Sequence, residues 1–560
     1  MAGLAPDPHL FFMKSPALSS DLWWMNAVFY CLDVETYLDS DGNGHGDFQG
    51  LTKQLGYIRS LGVTCIWLMP FYPSPNRDDG YDVADYYGVD LRLGTLGDFV
   101  VMLREARDQG LRVIIDLVVN HTSDQHPWFR EARSDRESAY RDFYVWRDEP
   151  IEDEDLPLMF PEVEDSVWSW DDQAGQYYLH HFYSHQPDLN VTNPAVWAEI
   201  EKIAGYWLEL GVDGFRVDAV PLVLATGGLT GDIDLDPHDL LVDLRSFAQR
   251  RRGGVLLLGE VDLPPGEGVE YFGSGTELNM LFNFPLNQAL YLALARRDAQ
   301  PLLEAIDATP DPPSDSQWAT FVRNHDELNL GQLSDAEREE VFEAFGPEDH
   351  MQIFGRGLRR RLPSMLDGDE GHIRLVYSLL FTLPGAPVIF YGEEIGMSAN
   401  LDIPGRLSVR TPMQWAPGES GGFSEVDPTM LCRPFPEGEY GPSQVNVADQ
   451  LEDPESLLSW MKSAIAVRRQ TPEFGWGKPE VIQTSHPQVL AHRCGRAGQV
   501  VVAVHNLDAE THTVRIEPGD GPRRFEVILG GDEVFEVQDA AISMELEPHG
   551  FRWLRGEVTS

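Results

Sequence analysis

Residues 195–220 read AVWAEIEKIAGYWLELGVDGFRVDAV. Ala195–Leu210 carries apolar residues at helical spacing, Gly211 interrupts the pattern, and Gly214–Val220 is a short apolar run that predicts a strand. A helix feeding directly into a buried strand is half of a parallel-sheet unit, because parallel strands need a crossover between them. The same alternation extends in both directions. Strand-like runs recur at Ala27–Val34, Cys65–Met69, Val113–Val118, Val255–Val261, Met280–Phe284, Ala319–Val322 and Pro387–Tyr391. Helical-period segments such as Leu51–Leu61, Leu96–Gln109, Leu240–Arg251 and His372–Thr382 fall between them. Eight strands alternating with helices predict an α/β fold, a closed parallel (β/α)8 TIM barrel. An open doubly wound sheet is the alternative; it lacks a Gly-rich phosphate loop after the first strand.

One connection is too long for a simple barrel. From Asn120 to Asn193 there is no regular alternation but many Trp, Tyr, His and Asp residues. Loops beyond about 12–15 residues are usually functional insertions, and this one follows the third strand, so it should lie over the barrel mouth. After a last barrel helix, Glu455–Arg469, the pattern changes to short β runs at Gln499–Val504, Thr511–Ile516 and Arg524–Leu529, with turn signals such as Gly519-Asp520-Gly521. The expected organisation is a barrel in two parts, 1–121 and 194–472, an inserted lid domain at 122–193, and a C-terminal antiparallel β-sandwich at 473–560.

Composition limits the function. Ninety-one acidic against 42 basic residues give a net charge of −49. Such a surface repels nucleic acid, so no nucleic-acid partner is expected. Only five basic residues are Lys (14, 53, 202, 462, 478), which fits a salt-rich cytoplasm and an Arg-rich genome equally. No run of about 18 apolar residues predicts a membrane span. In Met1–Ser20 Lys14 follows the apolar stretch Leu10–Met13, the wrong order for a secretory leader. Cys31, Cys65, Cys432 and Cys494 are scattered without metal spacing, as for thiols in a reducing cytoplasm. Oligomeric state is not readable from the chain.

A barrel's chemistry sits where its strands end. Those ends carry Asp116, Asn120 and His121 after the third strand, Arg216 and Asp218 on the fourth, Glu260 on the fifth, and Asn324, His325 and Asp326 after the seventh. Arg216 and Asp218 are two apart on a strand and point to one side. The guanidinium should keep Asp218 ionised, while desolvation and neighbouring carboxylates should raise Glu260. One ionised and one protonated carboxyl is what glycoside cleavage needs.

These motifs resemble the α-amylase family of glycoside hydrolases. Gly211-Val-Asp-Gly-Phe-Arg-Val-Asp-Ala219, Asp116-Leu-Val-Val-Asn-His121, Glu260 and Arg323-Asn-His-Asp326 are similar to its four main motifs. Gln186-Pro-Asp-Leu-Asn190 resembles a fifth motif in the oligo-1,6-glucosidase branch. Met69-Pro-Phe-Tyr-Pro-Ser74, Arg77-Asp-Asp-Gly-Tyr-Asp82 and Arg410-Thr-Pro-Met-Gln-Trp415 bring the likeness closest to the trehalose synthase subfamily. The resemblance implies Asp218 as nucleophile, Glu260 as acid and base, and Asp326 as a grip on the bound glucose. His121 and His325 would hydrogen-bond that sugar and Arg216 would orient Asp218. Asp78 would pair with Arg410 to close the pocket, with Tyr81 and Phe182 as aromatic walls and Gln186 nearby. The implied activity is retaining transformation of a short α-glucoside such as maltose or trehalose, by hydrolysis or by intramolecular glucosyl transfer. A phosphorylase or transglucosylase acting on sucrose or another glucoside, and a catalytically inactive carbohydrate-binding scaffold, are the alternatives. The stretches Ala219–Asp236, Val261–Pro265 and Ser398–Leu407 depart from the synthase pattern, so the donor side matches better than the acceptor side.

A second cluster lies at Asp39-Ser-Asp41-Gly-Asn43-Gly-His45-Gly-Asp47. Oxygen side chains at every second position, with glycines bending the chain, suit Ca²⁺, which takes 6–8 oxygen ligands. The twelfth position is Gly50 rather than Glu, so it is not an EF-hand. It resembles the structural Ca²⁺ loop of the same branch, which implies Asp39, Asp41, Asn43, Asp47 and the His45 carbonyl as ligands. Mg²⁺ is the other candidate ion, and no organic cofactor is expected.

Overall fold

The computed structural model describes residues 22–151, 157–229, 236–519 and 521–556. The expectations for Met1–Ser20, for Asp520 in its turn and for 230–235 of the loop after Asp218 lie outside the described residues.

The helix and strand of the opening stretch form as Pro194–Leu210 and Gly214–Val217. Asn193 starts the helix by accepting from the Ala195 N–H, with Pro194 in the first turn where its missing N–H costs nothing. Gly211, at φ +114°, ends it. Val196, Ile200, Ile203, Ala204, Trp207 and Leu208 are buried against the barrel. Gly214 allows the next strand to approach: a Cβ there would lie 2.2 Å from the Leu256 carbonyl oxygen.

Eight parallel strands close the barrel: β1 Phe29–Leu32, β2 Cys65–Leu68, β3 Arg112–Leu117, β4 Gly214–Val217, β5 Leu256–Gly259, β6 Met280–Phe282, β7 Gln317–Phe321 and β8 Ala386–Phe390. Closure is seen at Phe29, which pairs with Cys65 on one side and Val388 on the other. Nearly every strand residue is buried, as expected where helices cover the outside and side chains fill the inside. The strands are shorter than their apolar runs, because the polar residues that end those runs sit above the last ladder bonds.

The segment between β3 and Pro194–Leu210 contains the helix Pro127–Ser134 and an antiparallel sheet of Trp146–Arg147, Gln176–Leu179 and Trp168–Asp171. Bridges His121–Asp188 and Tyr144–Leu189 lay its return limb beside its exit, which keeps it over the mouth. A second insertion, not anticipated from the sequence, follows β7: the pairs Leu328–Asn329, Gly357–Leu358 and Gln352–Ile353 form a small sheet beside the helix Asp335–Phe345. Its strands are two residues long, too short for any periodicity to reveal. Phe354 of this insertion meets Phe160 of the first at 4.8 Å, so the two roof the mouth together.

The C-terminal region is a six-stranded antiparallel sheet faced by a two-stranded one, His512–Ile516 with Ile542–Leu546. Val502, Val504, Phe525 and Leu546 contribute to the core between them. The opposite face of the large sheet packs on the barrel helix Glu370–Thr382, where Trp553 Nε1 donates to Ser378 Oγ at 2.8 Å. The four cysteines are free thiols. Among the described residues no helix is long and apolar enough to cross a membrane.

Candidate active site

The ends of β3, β4 and β5 build one charged knot. Asp116 and Arg216 are register partners on adjacent strands, so their side chains rise together. Arg216 is buried at 1% exposure. Its Nη1 donates to Asp116 at 2.6 Å and to Asp218, and its Nη2 pairs with Glu260 at 2.8 Å. Trp67 Nε1 donates to the second Asp116 oxygen at 2.8 Å. One guanidinium cannot neutralise three carboxylates, of which Asp116 and Asp218 are buried and Glu260 is half-buried. Burial therefore pushes Asp116 and Asp218 up to about 6 despite Arg216. Glu260 rises further, to about 7, through burial and then the neighbouring Asp218 and Asp326. Asp218 was expected to be held ionised by Arg216. Arg216 acts in that direction, but burial outweighs it, so Asp218 rises to about 6 and stays the more acidic of the two.

The ends of β7 and the loop after β2 supply a second, more strongly ionised group. Burial alone would raise Asp326, but His325, Arg406 and Arg410 outweigh it and hold the carboxyl well below its ordinary range. Arg406 and Arg410 donate to it at 2.5 and 3.0 Å. Burial lowers His325 to about 4, and its ring stacks on Tyr81 with the Tyr81 hydroxyl 2.6 Å from Nε2. His121, also lowered by burial, sits 3.1 Å from the Tyr81 carbonyl and meets the Phe182 ring at 5.1 Å.

The expected Asp78–Arg410 pair does not form. Arg410 donates to Asp79 at 2.8 Å, while Asp78 pairs with Arg406 at 2.8 Å and accepts from Gln186 at 2.9 Å. The reason is local: Asp79 adopts φ +52°, which turns two successive carboxylates to opposite sides. Arg406, Asp79 and Arg433 are functional-site neighbours that sequence reasoning missed. Arg433 gathers Asp33, Glu35 and Asp79 behind the pocket, and no local motif links residues so far apart.

A cavity of about 340 Å³ opens above these groups. Asp78, Tyr81, His121, Phe182, Asp218, Glu260 and Asp326 line it, with Arg406. Arg216, His325, Gln186 and Arg410 stand directly behind that lining. Above β4–β6 the wall is different: Pro221, Leu222, Leu263 and Phe284 face the cavity, joined by Met159 of the first insertion.

The Asp39–Asp47 loop lies apart, at the end of β1. Carboxylate oxygens of Asp39, Asp41 and Asp47 come within 4.8 Å of one another. Gly42 and Gly44 hold positive φ values that let the loop curl. Asp39 accepts from the Gly42 and Gly44 N–H groups and from Ser424, and Asp47 caps the following helix through Gly50. Asn43 turns its side-chain oxygen onto the His45 N–H at 2.7 Å. Among the described residues no Arg or Lys pairs with the three carboxylates. Burial, then Asp47 and Asp39, raises Asp41. An all-oxygen donor set with uncompensated charge fits a hard divalent cation.

A closed parallel barrel that gathers a carboxyl pair, a strongly ionised third carboxylate and stacked aromatics at one roofed cavity has the build of a sugar-processing enzyme. The model of the α-amylase catalytic domain matches residues 34–345 and 354–477, and that of the sucrose hydrolase-like C-terminal domain matches 498–555. A trehalose synthase of Pimelobacter sp. is 40% identical over 548 residues, covering 95% of this chain and 96% of that one. The trehalose synthase/amylase of Mycobacterium tuberculosis is 39% identical over 97% of this chain and 92% of its own. The crystal structure of an α-glucosyl transfer enzyme, XgtA, superposes with a TM-score of 0.76 at 28% identity, covering 96% and 99% of the two chains. The chain belongs to the α-amylase family, as a trehalose-synthase-like glycoside hydrolase or glucosyl-transferring enzyme.

Proposed function

We propose that the protein interconverts maltose and trehalose by retaining glucosyl transfer, with hydrolysis as the side reaction. The observation that carries this reading is the Asp218–Arg216–Glu260 knot at the floor of the cavity. Holding both carboxyls on one guanidinium favours attack by a carboxylate over attack by an interposed water.

The ionised Asp218 attacks the anomeric carbon of the bound glucosyl unit while protonated Glu260 gives its proton to the departing oxygen. The glycosidic bond breaks and a β-glucosyl ester forms on Asp218. The released glucose turns within the roofed cavity. Its anomeric hydroxyl then attacks the anomeric carbon of the glucosyl ester, Glu260 takes the proton, and the C1–O bond to Asp218 breaks so that Asp218 leaves as carboxylate. Asp326, fixed by Arg406, Arg410 and His325, accepts hydrogen bonds from glucose hydroxyls, and Tyr81 and Phe182 pack on its C–H faces. The relatives named trehalose synthases support the substrate pair. Against a phosphorylase stands the pairing of both cavity cations, Arg356 and Arg406, with carboxylates.

We infer further that the Asp39–Asp47 loop holds a structural Ca²⁺, and that the enzyme works in a reducing cytoplasm, in keeping with four free thiols. Incubation with maltose, trehalose and sucrose, with and without phosphate, followed by NMR tests the reaction. Trehalose from maltose is the expected result. Glucose alone would reduce the proposal to hydrolysis, and a sugar phosphate would replace it.

A further inference from the structure

Behind the donor side of the cavity, charged side chains are stacked in depth. Asp326 faces the cavity and accepts from Arg410 at 3.0 Å. Arg410 also gives its Nη1 to Asp79 and its Nε to the His325 carbonyl, both at 2.8 Å. The other Asp79 oxygen accepts from Arg433. Arg433 is 7% exposed and reaches Asp326 through Asp79 and Arg410. Its segment is pinned to the chain after β1, where the Cys432 N–H donates to the Gly44 carbonyl at 2.8 Å.

Both Nη groups of Arg433 are in use. Nη1 donates to the Arg410 carbonyl at 2.9 Å and to Asp33 at 3.3 Å. Nη2 donates to Glu35 at 2.9 Å and to Asp79. The two outer acids are held from elsewhere as well: Asp33 accepts from the Glu35 N–H at 2.9 Å, and Glu35 from Arg92 at 2.6 Å. Four acceptors around one head suit the fixed fork of a guanidinium; an ammonium offers three hydrogens from a single point.

Arg433 therefore grips Arg410 twice, by its carbonyl and through its side-chain partner. Burial and then Asp79 push Asp33 up to about 7 despite Arg433. Burial alone would raise Asp79 too, but there Arg433, and then Arg410, outweigh it and hold the carboxyl below its ordinary range. The charge of Arg433 is thus committed chiefly to Asp79. Without Arg433 both Asp79 oxygens would face the Arg410 guanidinium. A two-pronged pair is the favoured geometry of arginine with a carboxylate, and forming it would draw Nη2 of Arg410 off Asp326.

We propose that Arg433 is a positioning residue for the donor sugar: by taking one Asp79 oxygen it leaves Arg410 free to fix Asp326 against the glucose hydroxyls. The inference rests on the donor-pocket reading given above and concerns the grip on the sugar, not the bonds broken.

Calorimetric titration with deoxynojirimycin, a glucose-shaped amine, reads that grip without turnover, and kcat/KM for maltose reads it in the reaction. Arg433→Met should lower both by about tenfold, the worth of one charge-assisted hydrogen bond. Arg433→Lys should fall between Arg433→Met and the wild type. Asp79→Asn should also weaken binding, and in the double variant the two losses should not multiply, because they act along one chain of contacts. The pH profile of kcat/KM should keep both limbs, since the Arg216 knot is untouched. A merely structural arginine would lower the melting temperature and leave the inhibitor affinity of the folded protein unchanged. Wild-type affinity in Arg433→Met, or losses that multiply, would overturn the inference while leaving disaccharide conversion standing. If Arg433→Met does not fold, Arg433→Lys decides, and wild-type affinity in it would overturn the inference. Failure of the wild type to bind deoxynojirimycin, or to cleave maltose or trehalose, would overturn the donor-pocket reading and this inference with it.

Discussion

Two carboxylate clusters sit at the strand ends, and they differ in where their positive charge comes from. Asp116, Asp218 and Glu260 surround Arg216, a cation built into β4 and sealed from solvent. Asp39, Asp41 and Asp47 surround no cation of the chain among the described residues, and rely on backbone N–H groups and Ser424 instead. The first cluster is permanently charge-compensated in part, and its residual imbalance sets the protonation of the reacting pair. The second has acids without a fixed cationic partner among the described residues, so under the proposed Ca²⁺ reading its stability would depend on an ion from solution. The built-in guanidinium fixes the charge beside Asp218 and Glu260, whereas an exchangeable ion there would leave their pKa values to the medium.

The comparison breaks most severely at Asp218. Asp218→Asn keeps the shape and removes the nucleophile, so kcat should fall by about four orders of magnitude or more with sugar binding retained. Substantial residual turnover would assign the nucleophile elsewhere. Arg216→Ala comes next. It leaves the buried Asp116 and Asp218, and the half-buried Glu260, without their cation, and loss of about 3–5 kcal/mol of stability is expected by chemical denaturation. A variant as stable as the wild type would show that the carboxyls are simply protonated and that Arg216 is dispensable for packing.

A third test uses pH. The reactive form needs Asp218 ionised and Glu260 protonated. Below about 6 Asp218 takes up a proton and the nucleophile is lost; above about 7 Glu260 gives one up and the acid is lost. The profile of kcat/KM should therefore be a narrow bell between those values, describing the pair as a unit. A flat profile from pH 5 to about 9 would mean that neither group titrates in the catalytic step.

The sequence made some of this plain and hid the rest for physical reasons. Barrel strands are fully buried, so they appear as unbroken apolar runs such as Leu256–Leu258, and their polar ends at Asp218 and Glu260 stand out against them. The pocket pairing was hidden because Asp78 and Asp79 are adjacent, and only the φ +52° turn at Asp79 decides which carboxylate meets which arginine. Arg406 meets Asp78 across 328 residues and Arg433 meets Asp33 across 400, with no repeat to betray either contact. The cavity around Asp218 is likewise a property of the assembled mouth: Met159 and Phe160 of the first insertion and Arg356 of the second line it, and the second consists of strands too short to read.

The smallest expected effects fall on the ion loop, where the sign of a change should depend on the ion. Chelation should lower the melting temperature by a few degrees, recovered by excess Ca²⁺, because a ligand bound only to the folded state stabilises by mass action, about 2.7 kcal/mol at a hundredfold excess over Kd. Asp41→Asn removes one member of the repelling trio while keeping an oxygen donor. In chelator the variant should melt about a degree or two above the wild type, since an exposed like-charge contact is a small term. In Ca²⁺ it should melt below the wild type, since the cation loses a carboxylate. A crossover between the two conditions would identify the loop as an ion-dependent cluster, opposite in kind to the Arg216 knot. If Asp41→Asn moves the melting temperature the same way in both, the loop is an Asp-rich turn held by its own backbone and no cation belongs there.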